Sequence, residues 1–219
     1  MKKIVLVYSG GLDSTVLLHF LVHNKNEVKT LTFDYGSRHN EREYECAKKN
    51  CDLLGIENKL IKLDFIKDLF NSALLKGGEA IPDGHYQDEV MRKTVVPFRN
   101  GIMLSIAAGY AESIDYEMIA LANHAGDHAI YPDCTPNFNF AMMKAIVMGT
   151  YKKIVLYAPF CKSTKKRIVA IGKELGVPFE NTYSCYKGGD IHCGTCGTCV
   201  ERKEAFLLNN IEDGVIYEN

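Results

Sequence analysis

Short apolar, β-prone runs alternate along the chain with segments of helical period. Strands are predicted at 4–8, 28–33 and 59–64, followed by helices at 14–22, 41–54 and 66–74. The strands are nearly continuous apolar runs, as burial on both faces requires, and the first helix gathers Val16, Leu17, Phe20 and Leu21 on one side. Gly55 and Gly176 stand where helix C-caps belong. At 100–113, Met103, Ile106, Ala107 and Tyr110 keep helical spacing; strands at 118–122 and 154–158, a helix at 164–175 and a final helix follow. The alternation predicts an α/β fold: a doubly wound, mostly parallel five-stranded sheet with helices on both faces and ligands at the carboxyl edge where strand order reverses. The stretch 76–96 has no clear period, contains Gly77, Gly78 and a turn at Pro82, Asp83 and Gly84, and reads either as a lid over a site or as a plain surface excursion.

With 219 residues, 47% hydrophobic and 24% charged, the chain is long enough for one sizeable core. We divide it into an α/β domain at 1–183 and a C-terminal segment at 184–219 belonging to the same compact unit. Lys plus Arg number 26 against 27 Asp plus Glu, so no whole-molecule field steers it toward a polyanion, and no direct nucleic-acid partner is expected. No apolar run approaches the about 18 residues of a membrane span, and the first strand is too short for a signal peptide. A cytoplasmic protein is expected. Of the eight cysteines, Cys46, Cys51, Cys134 and Cys161 are scattered through patterned sequence, whereas Cys185, Cys193, Cys196 and Cys199 crowd together near the C-terminus. Four soft thiolates so spaced can close a tetrahedron around Zn, with Gly188, Gly189, Gly194 and Gly197 supplying the turns; four protein ligands leave no open position, so the metal would be structural. Metal-free redox thiols and an iron–sulfur cluster are the alternatives.

Directly between the first strand and first helix lies Ser9, Gly10, Gly11, Leu12, Asp13, Ser14. Glycines allow a sharp turn and close approach to an anion, the hydroxyls add donors, and the helix points its N–H groups at the same place. The loop lacks the third glycine of a dinucleotide fingerprint and the Gly-Lys-Ser/Thr ending of a Walker loop. The simpler reading is a tight turn with Asp13 or Ser14 capping the helix. The six residues resemble the PP-loop of the ATP pyrophosphatases, which cleave ATP between its α and β phosphates and pass AMP to a substrate oxygen. That resemblance implies an adenine nucleotide alpha-hydrolase-like fold and ATP bound by Ser9, Gly10, Gly11, Leu12, Asp13 and Ser14.

Phe33, Asp34, Tyr35, Gly36, then Arg38 and His39; Pro97, Phe98, Arg99 and Asn100; Tyr131, Pro132, Asp133 and Cys134; and Lys165 ahead of a helix complete an order found in one family. From end to end the chain resembles the 7-cyano-7-deazaguanine synthase family, although Phe98 stands where that family often has glycine. The resemblance implies conversion of 7-carboxy-7-deazaguanine to the nitrile used in making queuosine and related deazapurines, at the expense of two ATP, by adenylation of the acid and then of the amide. Ammonia is the expected donor, because a glutaminase would need about 100 residues more. Mg²⁺ is expected to bridge the phosphates, with Asp13 as a ligand; a homodimer is implied by the resemblance alone. Other adenylating readings are a tRNA-modifying enzyme and a paralogue that redirects the chemistry to another carboxylate.

Catalytic roles are expected for Asp13, Ser14, Arg99 and Lys165. Arg99 and Asn100, at a helix start, would hold the carboxylate or a phosphate. His124, Asp127, His128, Tyr131 and Asp133 occupy the loop after the fourth strand; of these, Asp127, Tyr131 and Asp133 are expected at the substrate, with Tyr131 stacking and Asp133 pairing with a guanine-like N–H edge. Lys165 resembles the family's phosphate-binding lysine, and Lys162, Lys165, Lys166 and Arg167 at a helix start are an electrostatic misfit that an anion would relieve.

Overall fold

Alternation along the first strand sends Ile4, Leu6 and Tyr8 to one face of the sheet and Val5 and Val7 to the other, and all five are buried. The computed structural model describes residues 1–85 and 89–218. Its elements run β1 (Lys3–Val7), α1 (Leu12–His23), β2 (Glu27–Asp34), α2 (Asn40–Leu54), β3 (Asn58–Lys62), α3 (Phe65–Leu69), α4 (Arg99–Ser113), β4 (Met118–Ala120), α5 (Pro136–Gly149), β5 (Val155–Tyr157), α6 (Lys165–Glu174) and α7 (Gly197–Leu207). The five strands form one sheet in the order β3-β2-β1-β4-β5, parallel throughout, with Ile4 opposite Val28 on one side and Met118 on the other. Helices α1, α2, α6 and α7 cover one face, α3, α4 and α5 the other. The order reverses between β1 and β4, so the loops leaving their C-terminal ends part there and open a cleft.

Helix α1 is buried more completely than a single stripe requires, because it is pressed between the sheet and α6. Val16, Leu17, Leu18 and Leu21 are all buried, whereas Phe20 is half-buried edge-on to Phe160 at 6.0 Å. Each such side chain contributes about 1.5–3 kcal/mol of burial. Gly55 takes the left-handed conformation at the end of α2, and Gly176 has φ +67 just beyond α6.

Three segments differ from the periodicity. The helix predicted at 66–74 ends at Leu69, since the Ser72 hydroxyl accepts from the Leu74 N–H and sends the chain onward as a turn. The structure adds α5, whose apolar residues run around the helix and hide its period; its signal was the start, where the Thr135 hydroxyl accepts from the Phe138 N–H and Pro136 occupies the first turn. The stretch 76–96, of which 86–88 lie outside the described residues, is tied down at both ends. Arg38 donates to the Gly78 and Ala73 carbonyls, the Gly84 N–H donates to Thr195 O, and the short 3-10 helix Glu89–Thr94 buries Met91 against Tyr131. Among the described residues none of this stretch lines the cleft; Met91 and Thr94 back Tyr131, which does. Among the described residues no helix is long and apolar enough to cross a membrane.

Candidate functional site

The cleft at the β1/β4 switch point has an empty volume of about 1080 Å³ open to solvent, and its floor is the ends of those two strands. The loop 9–14 forms one lip. Gly10 has φ +88, and a Cβ there would lie 2.1 Å from the Glu43 carbonyl oxygen and 2.6 Å from the Ala47 nitrogen, so glycine is demanded by α2 as well as by the turn. The Ser14 and Thr15 hydroxyls both donate to Gly11 O, and the Ser9 and Ser14 hydroxyls meet at 3.1 Å. These bonds fix the first turn of α1, whose N-terminal N–H groups point into the cleft.

Beside this loop an ionic cluster gathers from four distant parts of the chain. Lys165 Nζ donates to Asp13 Oδ2 at 2.5 Å and lies 3.5 Å from Glu201 Oε2. His124 Nε2 is 3.9 Å from Asp13, 3.6 Å from Asp127 and 3.8 Å from Glu201. Burial alone would raise Asp13, but the Lys165 charge, then His124 and the Lys165 hydrogen bond, outweigh it and hold the carboxyl below its ordinary value. Burial likewise opposes charge on Lys165, yet Asp13, Glu201 and Asp127 keep it firmly protonated. Asp13 Oδ1 is buried and accepts no hydrogen bond, and Glu201 Oε2, also without one, meets Lys165 only as an ion pair at 3.5 Å, so this lip keeps acceptor capacity for a further cation.

The opposite wall is aromatic. Tyr35, Tyr131 and Tyr186 line it with His39, Glu43 and Arg99. Arg99 donates to the Tyr35 hydroxyl at 3.0 Å, with its guanidinium 5.5 Å from that ring, and among the described residues no carboxylate forms an ion pair with it. His39 stacks on Tyr186 at 5.4 Å, and burial and then the Arg99 charge depress it to about 3, so it is neutral at physiological pH. The Tyr131 hydroxyl meets Thr94 Oγ1 at 2.7 Å.

Of the residues singled out from sequence, those of the loop 9–14 together with Asp127, Tyr131, Lys165, Arg99, Asn100 and His124 are brought to this cleft, Gly10 by its backbone, whereas His128 does not line it and meets Cys161 Sγ through its Nε2 at 3.8 Å. Asp133, expected to face a guanine-like edge, does not line it. Its Oδ2 accepts the Asn100 backbone N–H at 2.8 Å, and the Asn100 side chain donates to the Asp133 carbonyl and to Cys134 Sγ. The pair anchors the start of α4 and thereby aims Arg99. Glu43, Glu201, Tyr183 and Tyr186 also line the cleft, beyond the residues marked from sequence. Glu43 had a readable signal: it lies on the α2 stripe that continues through Ala47, Asn50 and Cys51, all buried.

The thiols of Cys185, Cys193, Cys196 and Cys199 are buried and lie within 4.8 Å of one another. Tetrahedral zinc with bonds of about 2.3 Å implies sulfurs about 3.8 Å apart, and Cys193 and Cys199 already stand at 3.9 Å. Backbone N–H groups of Cys193, Thr195 and Cys196 point at the cluster sulfurs at 3.3–3.5 Å, which suits thiolates. The four residues therefore fit a structural metal, and α7 starts inside the cluster and carries Glu201 to the cleft.

Residues 3–210 match the family model described as queuosine biosynthesis protein QueC. The chain is 50% identical over 205 residues to a 7-cyano-7-deazaguanine synthase of Desulfotalea psychrophila, covering 94% of each. To that of Porphyromonas gingivalis it is 49% identical over 217 residues, 99% of this chain and 98% of the relative. Among solved structures it is similar to NMN synthetase from Francisella tularensis, with TM-score 0.51 and 15% identity over 95% of this chain and 77% of that one, a likeness of fold.

The Asp13–Lys165 pair yields a prediction. Asp13→Asn and Lys165→Met should each lose about 3 kcal/mol in urea unfolding at neutral pH, with strong non-additivity in the double variant, because each single change strands a desolvated charge. Since the Asp13 carboxyl is held below its ordinary 3.8 in the fold, its stabilisation is complete above that value and fades as pH falls through the folded value. The wild type should therefore lose stability into acid more steeply than Asp13→Asn; equal acid slopes would exclude the pair as a stabilising contact.

Proposed function

The chain belongs to the QueC family of 7-cyano-7-deazaguanine synthases, and on that premise we propose how this cleft turns 7-carboxy-7-deazaguanine, ATP and ammonia into 7-cyano-7-deazaguanine. The observation that carries the reading is that a phosphate cradle and Arg99, a cation that forms no ion pair with a carboxylate among the described residues, face one another across a single cleft. Ser9, Gly10, Gly11, Leu12, Asp13 and Ser14 hold the phosphates, with Lys165 supplying positive charge beside them. Arg99 takes the substrate carboxylate, Tyr131 and the other tyrosines offer faces to a planar ring, and Asn100 and Asp133 position Arg99 rather than touch substrate. Asp127 orients His124 through the backbone N–H it accepts.

A carboxylate is a poor acyl donor, and adenylation gives it AMP as a leaving group. Ammonia displaces AMP to form the amide; adenylation of the amide oxygen then lets AMP depart with that oxygen, leaving C≡N. Both adenylations expel pyrophosphate, so one cradle serves twice. Asp13 Oδ1 and Glu201 Oε2 would hold Mg²⁺, which neutralises phosphate charge when bound. The Cys185, Cys193, Cys196 and Cys199 site takes zinc, whose thiolate ligands suit the reducing cytoplasm, and residues 184–219 fold onto the body 1–183 through it.

Adding 7-carboxy-7-deazaguanine and ammonium to enzyme and ATP should release AMP and pyrophosphate; ADP and phosphate would defeat the adenylation reading. Ser14→Ala should slow acid to amide and amide to nitrile alike, each by about a hundredfold, the loss of about 2–3 kcal/mol for one charge-assisted contact. A variant that stopped one step and spared the other would argue for separate sites.

Freshly purified, unchelated protein should contain a single zinc per chain, and Cys193→Ala should lose metal and Tm together. Elemental analysis finding no zinc would remove this assignment.

A homodimer is also proposed. Phe140, Met148 and Tyr151 are exposed at 55%, 81% and 95%, on and just after α5, with Lys144 over the Phe140 ring on the same stripe. An apolar stripe of this kind supports contact with a second copy. Sedimentation at micromolar concentration should give a dimer that Met148→Glu weakens; a monomeric wild type would end the idea.

A further inference from the structure

Among the described residues, Glu43 is the one carboxylate that lines the aromatic side of the cleft. It leaves α2 beside the loop 9–14, with its Oε1 3.6 Å from where a side chain on Gly11 would begin, and its side chain is 16% exposed. Among the described residues no lysine or arginine forms an ion pair with it. Its near neighbour, His39 Nε2 at 3.7 Å, belongs to an imidazole kept neutral, so that contact supplies no counter-charge. Tyr35, Cys46, Arg99 and the Ser9 hydroxyl complete its surroundings, and Tyr186 stacks on His39 beyond. Burial pushes the carboxyl up to about 8, with Arg99 and Ser9 offsetting only part. A carboxyl so placed exchanges a proton near neutrality.

The proposed reaction needs such a group at this place. At neutral pH ammonia is almost wholly ammonium, which has no lone pair to attack an acyl carbon. A cation entering a cleft that already holds Lys165 and Arg99 is received where a carboxyl can ionise among ring faces, and Glu43 beside Tyr35 is such a place: largely protonated in the empty cleft, it is drawn into its carboxylate form by the cation's charge. We propose that Glu43 binds ammonium and takes its proton, releasing the ammonia that attacks the acyl adenylate, an inference that rests on the function proposed above. One N–H bond of ammonium breaks and its proton passes to the Glu43 carboxylate. The freed lone pair forms the C–N bond, the acyl carbon–oxygen bond to AMP breaks with its electrons staying on the phosphate, and the surplus proton on nitrogen leaves with AMP or to water.

The test separates the half-reactions. In Glu43→Gln, acid-dependent exchange of labelled pyrophosphate into ATP should stay within a few-fold of wild type, whereas amide formation from ammonium should fall by about a hundredfold or more, the usual worth of a general base. Hydroxylamine, largely neutral at the same pH, should still trap the acyl adenylate as hydroxamate in the variant, and Glu43→Asp should restore part of the ammonium-dependent rate. Amide formation at the wild-type rate in Glu43→Gln would overturn the proposal. So would equal loss with hydroxylamine and ammonium, or loss of pyrophosphate exchange, since either makes Glu43 a support for the loop 9–14. Absence of acid-dependent exchange in the wild type would instead fail the function on which the inference rests.

Discussion

No side chain separates Gly10 from α2, and that contact governs the geometry of the cleft. With φ +88 and backbone atoms of Glu43 and Ala47 inside the volume of a Cβ, the loop and the helix are in direct backbone contact. The helix is thereby seated against the end of β1, deep enough for Glu43 to reach past Ser9 into the cleft. Asn40 fixes the entry to the same helix: its side chain accepts from the Tyr35 and Ser37 N–H groups and donates to Phe33 O. Three buried backbone groups are satisfied by one amide, each costing about 1–3 kcal/mol if left unmet. Tyr35 and His39 are placed by that knot, so the phosphate lip and the aromatic wall share one support.

The ionic lip depends on the other end of the chain. Lys165 opens α6, where a cation opposes the helix dipole, and Asp13 and Glu201 more than compensate. Glu201 is delivered by α7, which Arg202 locks in place: fully buried, it pairs with Asp213 and donates to Thr182, Ser184 and the Phe179 carbonyl. With the four thiols at its start, α7 is thus held by a cysteine cluster at one end and by a hydrogen-bonded arginine in its middle. The C-terminal segment completes the cleft, contributing Tyr186, Thr198 and Glu201 to its lining.

What was legible in the sequence was what the chain keeps local. The loop 9–14 is six consecutive residues between a strand and a helix, and the four cysteines fall within one short stretch, so spacing carries their chemistry. Glu43 and Glu201 depend on how helices pack. In the run Glu41, Arg42, Glu43, Tyr44, Glu45 the buried carboxylate is indistinguishable by composition from its exposed neighbours, and only its register with Ala47 sets it apart. Asp133 shows the converse: a residue in a telling motif whose carboxylate is spent on a backbone N–H. Helix α5 escaped periodicity because an apolar face left outside erases the contrast on which amphipathic reading depends.

Arg99 reaches the cleft by way of a strained residue. Phe98, immediately before α4, holds φ 53 and ψ 26, a left-handed conformation that costs a side-chain-bearing residue roughly 1–2 kcal/mol and glycine almost nothing. Phe98 is 59% exposed, and its ring occupies the space over Gly101, where any Cβ would meet it at 2.3 Å, and meets Phe138 edge-on at 5.8 Å. The bend turns the chain so that Arg99 enters the cleft while Asn100 is captured by Asp133. Backbone strain at 98, a missing side chain at 101 and a carboxylate at 133 therefore act together on one guanidinium, which fixes where an anion can sit opposite the loop 9–14.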